Sequence, residues 1–129
     1  LNAPSMTKPL ALVFYERLMP GSQLVNRLQD LGYRVSTASE LAAFAAQAEK
    51  EGPMVIIMDL TSDNGDVNAT IKSLRAGAKT QHIPIVGFTS KSNKKAQGAA
   101  VEAGAKLVAV DDAILPQLPQ LLEQALEVD

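Results

Sequence analysis

Five short apolar runs, separated by segments of helical periodicity, leave this chain few folds to choose from. Leu10–Tyr15 is apolar throughout, the pattern of a strand covered on both faces. After Pro20-Gly21-Ser22, the residues Leu24, Val25, Leu28 and Leu31 recur at helical spacing, and Gly32 ends that helix. Tyr33–Ala38 is a more polar β-prone run that suits a sheet edge. Ser39-Glu40 then open an alanine-rich helix carrying Leu41, Phe44, Ala45 and Ala48, closed by Gly52-Pro53. Met54–Met58 is the most hydrophobic run and belongs at the centre. Helices follow over Val67–Ala76 and Lys94–Ala103, strands over Ile85–Phe88 and Lys106–Val110, and a last helix over Leu115–Leu126. In that last helix Pro116 suits a first turn, whereas Pro119 is tolerable only if the helix begins close to it. Parallel crossovers must pass over a face of the sheet. The alternation therefore predicts an α/β fold, a doubly wound five-stranded parallel sheet with helices on both faces.

Length and composition narrow the function. The 129 residues fit one domain with a single core, 47% hydrophobic and 20% charged. We divide the chain into 1–8, an unstructured leader that reads as an expression remnant before Met6, and 9–129, the domain. No apolar run approaches the roughly 20 residues of a membrane span. Twelve basic against fourteen acidic residues give a net charge of -2, no field for a polyanion, so neither nucleic acid nor membrane is an expected partner. The absence of cysteine removes disulfides, zinc–thiolate sites and cysteine nucleophiles, and suits a cytoplasmic protein. His82 is the sole histidine, too few for a catalytic triad or a histidine metal site, and reads as a surface residue before Ile83-Pro84. The chain is not expected to be an enzyme.

In a parallel sheet, chemistry collects at the carboxyl ends of the strands. Neither GxGxxG nor GxxxxGK[ST] occurs there, so a dinucleotide or P-loop site has no support. What does stand there is Asp59, at the end of Val55-Ile56-Ile57-Met58-Asp59-Leu60, with Glu16 near the first strand's end, Thr89 after the fourth and Asp111-Asp112 after the fifth. Lys91, Lys94 and Lys95 read as a solvated helix start. Ser62-Asp63-Asn64-Gly65-Asp66 resembles half a calcium loop but lacks the later glutamate, and reads as a turn.

The run VIIMDL, the segment IPIVGFTS and the segment AVEAGAKLVAV, in this order, resemble the receiver domain of two-component response regulators, a flavodoxin-like (βα)5 fold, over nearly the whole chain. Thr89 follows Asp59 by thirty residues (89 − 59), the family's separation between phosphoacceptor and fourth-strand hydroxyl. The resemblance implies Asp59 as the phosphoacceptor position and Thr89 as the phosphoryl-contact position. It also implies a magnesium ion on an acidic pair ending the first strand, but Phe14 and Tyr15 stand there and cannot supply that charge. Glu16 could join Asp59 as a metal ligand only if the strand end shifts or bulges. The family's fifth-strand lysine is replaced by Asp111, and its switch aromatic by Val108.

Two carboxylates near Asp59 would repel a phosphoryl dianion unless a cation intervened. The expected function is accordingly that of a pseudo-receiver: a signalling domain, needing no cofactor, that acts through a protein partner, a second copy of itself included, independently of aspartate phosphorylation. The alternative is a phosphorylatable receiver, with Asp59 as acceptor and magnesium held by a non-standard acidic cluster of Glu16, Asp59, Asp111 and Asp112. Simpler readings stand beside these: amides hold Asp59, Thr89 caps a loop, and Asp111 or Asp112 caps the last helix.

Overall fold

The computed structural model describes residues 8–61 and 66–127, with the side chain of Leu18 outside the description. The leader expected over 1–8 lies outside the described residues apart from Lys8, as do Ser62–Gly65 of the expected turn. Strands β1 (Leu10–Phe14), β2 (Arg34–Ala38), β3 (Val55–Asp59), β4 (Ile85–Thr89) and β5 (Leu107–Val110) form one parallel sheet in the order β2-β1-β3-β4-β5. The most hydrophobic run is thus the central strand, every residue of it buried, and the polar run is an edge.

Alternation along the strands sends side chains to two cores. Leu12, Phe14, Ile56, Met58 and Ile85 face one, closed by α2 (Phe44–Glu51), α3 (Val67–Ala76) and α4 (Lys94–Ala103). Ala11, Val13, Val55, Ile57, Val86 and Phe88 face the other, closed by α1 (Leu18–Asp30) and α6 (Leu118–Ala125), with the four-residue α5 (Asp111–Ile114) contributing Ile114. Two helices begin on side-chain caps: Asp66 Oδ1 accepts from Ala69 N–H at 3.0 Å, and Asn93 Oδ1 from Ala96 N–H at 3.1 Å.

Three helices differ from their sequence reading, the first being α1, which begins at Leu18 and contains Pro20-Gly21-Ser22 instead of following them. α2 begins at Phe44 rather than at Ser39-Glu40. Leu41 and Phe44 both drop into the first core, where Phe44 meets Phe14 edge-on, and that burial outweighs the local cap signal. The final helix is two pieces, because Pro116 lacks an N–H and its ring crowds the carbonyl four residues back, so the chain turns between Ile114 and Leu118. Pro119 falls in the first turn of α6, where it is tolerated.

Half-burial of Tyr33, ahead of β2, pushes its phenol above the usual tyrosine value by desolvation. A raised folded-state pKa favours the fold while the group stays protonated. Its contribution is full below the unfolded value, about 10, and is lost as pH rises through the folded value. We expect Tyr33→Phe to flatten the alkaline limb of stability against pH, read by urea melts.

Candidate functional site

The chain leaves β1 at Phe14, and the turn that follows is tightly folded. Tyr15 continues the ladder by donating its N–H to Ala38 O at 3.1 Å. Its ring lies across Gly21, where a Cβ would come within 2.1 Å of the ring, so only glycine fits without displacing it. The Met19–Pro20 peptide is cis, and Met19 has non-helical dihedrals. Arg17, the residue before α1, stands at the carboxyl edge of the sheet.

From there its guanidinium spans two strands. Arg17 Nε donates to Asp59 Oδ2 and Nη2 to Asp59 Oδ1, both at 2.9 Å, a two-pronged grip on the buried carboxylate. Its other edge grips Asp111, with Nη1 donating to Oδ2 and Nη2 to Oδ1, both at 3.1 Å. The guanidinium carbon also lies 5.9 Å from the centre of the Phe88 ring, within cation–π range. These hydrogen bonds to two carboxylates push Arg17 further above its already high pKa. Asp59 Oδ1 additionally accepts from Thr61 N–H at 3.0 Å and from the Thr61 hydroxyl. Both oxygens of Asp59 are therefore occupied by donors from within the chain.

The residues singled out in the sequence divide accordingly. Asp59 and Asp111 meet, but across an arginine. The amide reading of Asp59 is met by Thr61. Asp111 is the first residue of α5 and not its cap, which is Val110 with no side-chain bond, and Asp112 is exposed. Glu16 is exposed and lines a small cleft with Tyr15, Thr37, Ala38 and Ser39 beside the end of β2. The strand end does not bulge: Ala11 to Phe14 pair one-to-one with Val55 to Met58. Phe14 is fully buried, and Val108 packs against the first core. Thr89 is fully buried, yet its hydroxyl has no hydrogen-bond partner among the described residues, so it caps no loop there. His82, Lys91, Lys94 and Lys95 are exposed, as their surface readings require.

A magnesium ion needs several converging oxygen ligands. Among the described residues no group of three or more histidine or acidic side chains could hold a metal ion, and a guanidinium covers both oxygens of Asp59. The donor set does not fit the ion that the receiver resemblance implies. Arg17 is the residue that sequence reasoning missed. The available signal was charge balance: a strand-end aspartate and an aspartate in the lysine position together call for a cation, and Arg17 sits on the loop that opens onto the same edge.

The architecture has many solved counterparts. The structure superposes on a provisionally named response regulator of Chloroflexus aurantiacus with a TM-score of 0.85 at 23% identity, over 92% of this chain and 98% of that one. The receiver domain of a sensor histidine kinase from Pseudomonas aeruginosa, solved with magnesium coordinated in its active-site cleft, gives 0.83 at 18% identity, over 92% and 98%. A chemotaxis response regulator of Vibrio cholerae gives 0.81 at 22%, over 92% and 98%. This is the receiver fold. No protein-family model matches the sequence, and no curated protein matches it. Within the receiver fold, Asp59 ends the central strand, where the resemblance puts the acceptor. What surrounds it is inverted in sign, with an arginine after β1 and an aspartate after β5. Among the described residues no helix is long and apolar enough to cross a membrane.

Proposed function

We propose that this chain is a signalling domain of receiver fold that works in the cytoplasm through a protein partner, without phosphorylation of Asp59, without magnesium and without an enzymatic activity of its own. The observation that carries this reading is the Arg17 fork. A phosphoacceptor carboxylate must present a free oxygen to an incoming phosphorus, with cations arranged around the phosphoryl oxygens. Here one oxygen of Asp59 faces Arg17 Nε, and the other faces Arg17 Nη2 and Thr61. Arg17 is itself held by Asp111, so turning it toward a phosphoryl group would break bonds to both carboxylates. Arg17 supplies within the chain the positive charge that a magnesium ion and a lysine supply in the family. The site keeps its shape and is closed to the reaction. Signalling then rests on the surfaces of the fold, including the face of α4 and β5, where Val101 is exposed.

The test is incubation with acetyl phosphate and magnesium, followed by intact-mass measurement, together with a beryllofluoride titration read by NMR. We expect an unmodified mass and unshifted amides around Asp59. A phosphoryl mass increase that disappears in Asp59→Asn would overturn the proposal.

A further inference from the structure

At the opposite edge of the sheet, before β4 and β5, lies a cavity of about 480 Å³ lined by Arg75, Gln81, His82, Pro84, Gly104 and Lys106, with the last turn of α6 and Glu127 closing its side. Pro84 and Thr89 bracket β4, so this cavity and the Asp59 edge are five residues apart, roughly 16 Å at strand spacing. The two sites share no lining residue.

Two of the basic side chains are placed by specific contacts. Arg75, in the last turn of α3, crosses Gly104, where a Cβ would come within 2.4 Å of Arg75 Cγ, and the φ of +125° at Gly104 also disfavours any other residue. Its Nη1 donates to Gln81 O at 2.6 Å. Lys106 Nζ donates to Ala125 O at 3.0 Å and Glu127 O at 2.8 Å, holding the end of α6. In both cases the partner is a carbonyl oxygen, which fixes direction without cancelling charge. Among the described residues the ion pairs are those of Arg17, so Arg75 and Lys106 have no carboxylate partner. The guanidinium retains most of its five N–H donors and the ammonium one of its three. His82 adds an imidazole to the wall, and among the described residues Glu127 is the only acidic side chain on it. Lys106 serves the end of α6, as cations near helix C-termini often do, and Arg75 ties down the turn after α3 at Gln81. Those roles account for their carbonyl bonds but not for a shared concavity of ligand size.

We propose that this amino-edge cavity binds a small phosphate monoester, with the Arg75 fork and the Lys106 ammonium on the phosphate oxygens. A planar fork and a point charge lining one concavity suit a tetrahedral dianion. The volume leaves room for the body of the molecule carrying it. With a net charge of -2 the chain offers no general attraction for anions, so binding must come from this local pair.

The test is an amide NMR titration of the intact chain at constant chloride ionic strength, with inorganic phosphate, adenosine monophosphate and adenosine in separate arms. We expect saturable shifts at Gln81, His82, Gly104 and Lys106 with inorganic phosphate and the monophosphate, and none with adenosine. Arg75→Gln should weaken binding about tenfold, and Glu127→Gln should tighten it about threefold. Non-saturating shifts, equal shifts with adenosine, saturation by inorganic phosphate but not by the ester, or an unchanged affinity in folded Arg75→Gln would each overturn the proposal. The parent chain decides the question even if the variant fails to fold. The Asp59 edge is not involved, so this result stands apart from the acetyl phosphate experiment.

Discussion

Arg17→Ala should destabilise the fold by about 2–3 kcal/mol in urea melts, with the denaturant slope unchanged. Removing one partner of a buried ion pair costs roughly 3–5 kcal/mol, because the other charge is left desolvated. Asp59 is 1% exposed and would keep only Thr61 as a donor among the described residues. Arg17 itself is 36% exposed, so water would take part of its place, and the loss falls below the full figure. The stronger form of the expectation concerns the double variant. If the damage in Arg17→Ala is the stranded charge of Asp59, then adding Asp59→Asn removes the charge and restores most of the stability. Arg17→Ala/Asp59→Asn should therefore be more stable than Arg17→Ala by at least about 1 kcal/mol. Additive losses would mean instead that Arg17 acts through packing on Phe88, and the electrostatic account of the site would fall.

The second large effect belongs to Phe14. Phe14→Ala should cost about 3–5 kcal/mol, measured the same way, and Phe14→Leu distinctly less. Phe14 is completely buried in the first core, and its ring stands 6.0 Å from that of Phe44 at 78°, an edge-on pair worth about 0.5–1.5 kcal/mol beyond its buried area. The neighbours are sheet residues fixed by their ladders, so the cavity cannot collapse easily. A loss below about 1 kcal/mol would show that α2 can settle over the gap. A carboxylate in place of Phe14 would point into a core built around an aromatic ring and be buried without a partner.

The parts of this fold that were legible in the sequence are those decided locally. The apolar runs, the proline before β4 and the glycines after α2 and α4 mark where elements begin and end, and α3 and α4 have the bounds their periodicity predicts. The start of α2 was not legible, because Ser39-Glu40 has the look of a helix start while the burial of Leu41 and Phe44 is settled by strands elsewhere. The break after Ile114 was half legible: both prolines were visible, but not which of them the chain would obey. At the site, the place of Asp59 at the end of the central strand could be read from the sequence. The role of Arg17 could not, since its reach depends on how a loop closes against Tyr15 and Gly21. Thr89 is the residue for which we have no physical account: a buried hydroxyl with no partner among the described residues.

Arg17 bonds to residues 42 and 94 positions further along the chain. Contacts of such long sequence separation carry a large loop-closure entropy, and the clasp needs β1, β3 and the start of α5 to be in place before its two prongs can both engage. We therefore expect the clasp to form after the folding transition state and not in the nucleus. Energy gained after the transition state slows unfolding and leaves the folding rate almost untouched. The charge that grips Asp59 and Asp111 is thus expected to act on the lifetime of the native state, slowing the opening of an assembled sheet more than it speeds its assembly.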